Sequence, residues 1–225
     1  MEDLNKRAFG GLLCLLGCLA ILLFLPARTL DYWQAWVFLA VFSTSVLAIT
    51  LYLMKKDPRL LERRVKAGPG AEKERSQKVV QVVANIAFIA VIVVPALDRR
   101  FAWSAAPFFA VVAGDFLVAL GLLVVFFVFK ENTFTSAIVE VGAGQKVVST
   151  GPYRLVRHPM YAGAVIMLLG VPLALGSWWG LFTIVPITLV IVWRLLDEEK
   201  FLARNLLGYS EYRDRVKYRL APFIW

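Results

Sequence analysis

Residues 106–129 read APFFAVVAGDFLVALGLLVVFFVF, with Asp115 as the one charged side chain. As an α-helix this stretch is about 36 Å long at 1.5 Å per residue, enough to cross a bilayer core of about 30 Å. It is apolar on all sides, the mark of a helix without a water-facing stripe. Outward from it, residues 8–26, 33–54 and 79–97 carry no charged side chain and meet the same length requirement. Two shorter uncharged runs, 160–175 and 178–193, are separated by Gly176 and Ser177. They predict a tight helical hairpin, too short to be sure of crossing. The composition agrees: 60% hydrophobic and 18% charged, against about 45–50% and about 25% in soluble domains. The fold class that follows is all-α, a polytopic integral membrane helical bundle of five to six spans.

The basic residues set the expected orientation. With a cytoplasmic N-terminus and six crossings, segments 1–7, 55–78, 130–159 and 194–225 lie inside and hold 22 of the 25 Lys and Arg residues. Both termini are therefore expected in the cytoplasm. The net charge of +9 then flanks membrane spans, so its partner is the anionic lipid surface and not nucleic acid. The first apolar run continues well past Cys18, which reads as a retained span and not a cleaved leader. Cys14 and Cys18 lie one turn apart within it and suit small packing residues; neither a disulfide framework nor a metal site is expected. In the polar loop 55–78, Asp57-Pro58 opens a helical turn and Gly68-Pro69-Gly70 breaks it, giving a basic lipid-facing loop or, alternatively, a lid. Asp115 reads as a structural group, paired or hydrated near Arg99 and Arg100. Trp33, Trp36, Trp103, Trp178 and Trp179 form an aromatic belt at the outer interface.

Two cytoplasmic segments differ from ordinary loops. The first, QKVVSTGPYRLVRHPMYAG over 145–163, holds the single histidine, His158. Gly151-Pro152 marks a turn and Pro159 stands where the next helix begins. The free N–H groups of that helix start suit a carboxylate or phosphate, although a turn with a basic interfacial anchor would read the same way. In the second, Arg194, Asp197, Glu198 and Glu199 follow the last apolar run, which is expected to continue as helix to Gly208. Arg194 and Glu198 share a helix face, yet Arg on the N-terminal side is the weaker order for such a pair, worth only about 0.2–0.5 kcal/mol. Stability alone is a poor reason for it.

Together, GPYRLVRHPMYAG, the apolar hairpin, the arginine followed by two glutamates, GYSEY and the Pro-Phe-Ile ending resemble the isoprenylcysteine carboxyl methyltransferase and phospholipid methyltransferase superfamily. The resemblance covers about 132–225 and divides the chain into 1–130, four spans with the basic loop, and 131–225, the core. It implies that Gln145, Lys146, Val147, Val148, Tyr153, His158, Pro159, Met160, Tyr161 and Glu198 bind S-adenosylmethionine, and that Arg194 meets the substrate, a lipophilic molecule entering from the bilayer. The acidic run is shorter than in eukaryotic prenylcysteine enzymes, and the early spans have no counterpart to their substrate-binding helices.

A carboxylate acceptor, with a pKa near 3.3–3.7, is already ionised. It needs an orienting cation, for which Arg194 supplies a fork. A phospholipid amine would instead need a base, and Glu199 or Tyr212 is the candidate. The catalytic expectation is therefore Arg194 with Glu199, no metal, and an isoprenylcysteine-like carboxylate ahead of an amine. The ending from Lys217 to Trp225 also resembles membrane sterol reductases, the more remote reading; Gly142-Ala-Gly144 is taken as a turn.

Overall fold

The computed structural model describes residues 2–65, 75–136, 141–142 and 144–225. All its regular structure is helical: α1 (Glu2–Ala27), α2 (Trp33–Lys56), α3 (Pro58–Val65), α4 (Arg75–Phe101), α5 (Phe108–Glu131), α6 (Pro159–Ala174), α7 (Ile184–Asn205) and α8 (Tyr209–Arg215), with 3₁₀ turns at Gly151–Arg154 and Trp179–Thr183. Five helical stretches are long and apolar enough to cross a membrane: Asp3–Ala27, Trp33–Lys56, Ser76–Phe101, Phe108–Glu131 and Trp179–Asn205. The protein is thus a multi-pass helical membrane protein. One core unites the long helices and α6, through Leu19 and Leu23 (α1), Phe38 (α2), Ile92 (α4), Val118 (α5), Val171 (α6) and Ile187 (α7). The Asp57-Pro58 start of α3 is capped as its residue types require, with the Leu60 N–H donating to Asp57 Oδ1 at 3.0 Å. The Gly68-Pro69-Gly70 break lies outside the described residues.

The expected short hairpin needs correction. Its second arm is not short, because the 3₁₀ turn runs into α7 to make one 27-residue stretch. Its first arm, α6, has 16 residues, about 24 Å at the helical rise, and lies principally against α5. Glycines on both helices form that seam. A Cβ on Gly114 would stand 2.1 Å from Ala174 N and one on Gly121 2.5 Å from Gly163 O. From the other side, a Cβ on Gly170 would meet Gly114 O at 2.5 Å, and one on Gly163 would meet Gly121 O at 2.8 Å. Small residues let membrane helices approach to backbone contact. The last span, α7, also stops at Asn205 rather than Gly208; Gly208, at φ +83°, makes the left-handed turn into α8.

The inter-helix turns near residues 28–32, 102–107 and 175–183 gather at one end of the bundle. There, buried Asp98 accepts from the Ser104 N–H (2.7 Å), the Ser104 hydroxyl (2.6 Å) and the Ser177 hydroxyl. The Tyr32 hydroxyl donates to Leu175 O at 2.7 Å. All five belt tryptophans are exposed. Asp115 is not paired with Arg99 or Arg100: Arg99 binds Asp31 and Arg100 lies over the Phe101 ring, while Asp115 Oδ1, buried, has no hydrogen-bond partner among the described residues.

Candidate active site

At the opposite end, the segment before α6 is built to present its side chains. Gly151 takes φ +55° with Glu131 packed where a Cβ would be, and the Thr150 hydroxyl donates to that carboxylate. The 3₁₀ turn then carries Tyr153 inward. Asn132 Nδ2 donates to its hydroxyl at 3.0 Å, and the Tyr212 hydroxyl donates to its carbonyl at 2.9 Å. Burial, the largest cause, pushes the Tyr153 phenol up to about 12, so it stays protonated. Two backbone bonds then lay the C-terminal tail against the turn, from Arg157 N to Tyr218 O (2.9 Å) and from His158 N to Arg219 O (3.0 Å). Pro159 starts α6 as its residue type predicts.

These elements enclose a cavity of about 510 Å³. Gln145, Lys146, Val147, Val148, Tyr153, His158, Pro159, Met160, Tyr161, Glu198 and Arg194 all line it. Gln145 also turns its Oε1 back to accept from Gly142 N at 2.9 Å. The polar centre is a short chain of hydrogen bonds: Arg194 Nε donates to the Tyr161 hydroxyl at 3.1 Å, and that hydroxyl donates to Glu198 Oε2 at 2.6 Å. Charge-assisted bonds of this kind are the strong ones.

Glu199 does not join them. It is 6% exposed and absent from the cavity lining. Arg157 Nε lies 2.9 Å from its Oε1, close enough for an ion pair although not aligned as a hydrogen bond. His158 Nε2 is 3.2 Å from the same oxygen, and Arg219 Nε donates to Oε2 at 3.1 Å. With its oxygens taken up by these partners, Glu199 is poorly placed to take a proton from a substrate, and it joins α6, α7 and the tail instead of facing the cavity as the expected base would. Tyr212, the other candidate base, donates its proton to Tyr153 O, and burial raises its phenol further.

The cavity also includes residues the sequence reading passed over. Arg157 lay inside the quoted segment, next to the histidine. Gln81 and Ala84 come from α4 and Arg64 from α3. The signal available for Gln81 was an amide four residues from another, Asn85, inside an otherwise apolar run.

A helical membrane protein with these motif residues around one cavity has the form of a membrane-embedded methyltransferase. The phospholipid methyltransferase family model matches residues 109–207, so this part of the chain is similar to the membrane-embedded methyltransferase superfamily that also includes the isoprenylcysteine carboxyl methyltransferases. A second likeness is to the Delta(14)-sterol reductase TM7SF2 of Mus musculus, 30% identical over 90 residues. That match takes in 39% of this chain and 22% of the reductase, well short of two thirds of the relative's length.

Proposed function

We propose that the protein transfers a methyl group from S-adenosylmethionine to the carboxylate of a lipophilic, isoprenylcysteine-like acceptor. The charge of the cavity carries this reading. Among the described residues that line it, Arg64, Lys146, Arg157 and Arg194 stand beside one carboxylate, Glu198. Arg157 is held by Glu199. Glu198 suits the ammonium or sulfonium of the methyl donor, and the basic side chains of the lining suit two carboxylates, the donor's own and the acceptor's. The donor supplies an electrophilic methyl on a sulfonium. An acceptor oxygen forms the new O–C bond as the C–S bond breaks, and the electron pair stays on sulfur to leave a neutral thioether. No proton moves, so the transfer asks for no general base. What the chain contributes is placement, worth about 7–11 kcal/mol in favourable systems.

The amine alternative has one observation in its favour, the description of the matching family. An amine with a pKa near 10 must first lose a proton, and neither Glu199 nor Tyr212 is arranged to take it. Purified protein, methyl-labelled S-adenosylmethionine and a panel of prenylcysteines, fatty acids and aminophospholipids test the reading. A base-labile label on a prenylcysteine is expected. A base-stable label on an aminophospholipid replaces the acceptor class, and binding of NADPH without S-adenosylmethionine overturns the reading altogether.

A further inference from the structure

Gln81 stands on α4, outside the 109–207 family match, yet it touches the polar centre of the cavity. Arg194 Nη1 donates to Gln81 Oε1 at 3.2 Å, and Gln81 Nε2 donates to Asn85 Oδ1 at 3.2 Å. A guanidinium can only donate, so the amide must turn its oxygen to Arg194 and its NH₂ to Asn85, and Asn85 thereby sets the orientation. Two amides in a span otherwise apolar from 79 to 97 are costly in hydrocarbon, and helix packing alone gives them little reason. We propose that Gln81 is a positioning residue for the acceptor end of the site: with its amide set by Asn85, it holds the Arg194 fork from α4 and so fixes where an acceptor carboxylate docks. This rests on the reading of Arg194 as the acceptor's partner.

The rival account is a plain tether between α4 and α7. A second tether exists for comparison, since Ser76 Oγ (2.8 Å) and Gln77 Nε2 (2.6 Å) both donate to Asp197 Oδ2, and neither Gln77 nor Asp197 lines the cavity. The experiment uses the full chain in detergent or nanodiscs, with S-farnesylcysteine and farnesylamine as acceptors and calorimetry for S-adenosylmethionine. Gln81→Met is expected to lower kcat/KM for S-farnesylcysteine about 10-fold, the scale of a lost bond to a charged group. Affinity for S-adenosylmethionine should stay within about twofold, and Arg194→Ala should mask the loss in the double variant, as coupled residues do. Gln81→Glu keeps the shape but neutralises Arg194, so it should penalise S-farnesylcysteine more than Gln81→Met does and spare farnesylamine. Asp197→Asn should lower the melting temperature without that acceptor discrimination. If the Gln81 and Arg194 losses multiply, or Gln81→Met weakens methyl-donor binding and turnover alike, Gln81 is only a tether. If the wild type turns over S-farnesylcysteine and Gln81→Met matches it, this inference alone falls. If the wild type neither binds S-adenosylmethionine nor methylates either acceptor, the proposed function falls and takes this inference with it.

Discussion

Arg194 and Glu198 stand one helical turn apart, with the Tyr161 hydroxyl between them, and their alanine variants should fail differently. Glu198→Ala removes the countercharge proposed for the methyl donor, so S-adenosylmethionine affinity should fall about 10- to 100-fold, as for a charge-assisted bond. Arg194→Ala should leave that affinity and lower turnover on a similar scale; Arg194→Lys should restore it only in part, because an ammonium cannot form the fork. Calorimetry beside single-turnover kinetics separates the two, and equal loss of donor affinity would merge the pair into one donor-binding unit. Glu199→Gln should act on stability. It leaves Arg157 and His158 buried without their anion, a loss of about 3–5 kcal/mol for a fully buried pair, nearer the lower figure here because the Arg219 side chain is 29% exposed. Thermal unfolding of the purified variant measures it; an unchanged melting temperature would refute the anchoring role. The difference between Glu198 and Glu199 was not legible in the sequence. Adjacent helical residues point about 100° apart, and which of the two meets the cavity depends on how α7 is rotated, which distant packing sets. His158, Tyr161 and Arg194 were legible because their spacing to a turn, a helix start and a membrane edge is local.

The seam between α5 and α6 is the element that most constrains the cavity's shape. Leu122 and Met167 line the cavity from either side of it. A Cβ at Gly121 would fall 2.5 Å from both Gly163 O and Met167 N, backbone atoms that have no rotamer with which to yield. Gly121→Ala should therefore cost about 1–3 kcal/mol by overpacking and pry Met167 from its place. Gly17→Ala on α1, where nothing lies within 4 Å, is the matched control and should be neutral or slightly stabilising, because Ala is the better helix former. Equal melting temperatures for the two variants would disprove the seam. The four glycines were visible in the sequence, seven apart on each helix. Their pairing was not, because the two apolar runs 160–175 and 178–193 adjoin in the chain and invited each other as partners. Close backbone approach chose α5 instead.

For the molecule as a whole, the membrane class was written in its apolar runs, since every long run became a helix of spanning length. The share of the early spans in the site was not, because Gln81 and Ala84 are ordinary residues until α4 is laid beside α7. The 22-to-3 division of Lys and Arg is the ground for proposing that the site faces the cytoplasm. Cysteines placed at Ser149 and Ser210 should react only with reagent that reaches the cytoplasmic side, and labelling from outside would reverse the topology. One consequence reaches across the whole bundle. The Tyr161 hydroxyl gives its proton to the residue proposed for the methyl donor and accepts one from the residue proposed for the acceptor. The two ligands then share a thermodynamic linkage: whatever factor the first applies to the affinity of the second, the second must return, typically 5–150-fold, or about 1–3 kcal/mol. Saturating S-farnesylcysteine should thus shift the S-adenosylmethionine dissociation constant, and Tyr161→Phe should bring the ratio of the two constants towards one. A ratio unchanged by that substitution would mean that cooperativity, if measured, passes by another route.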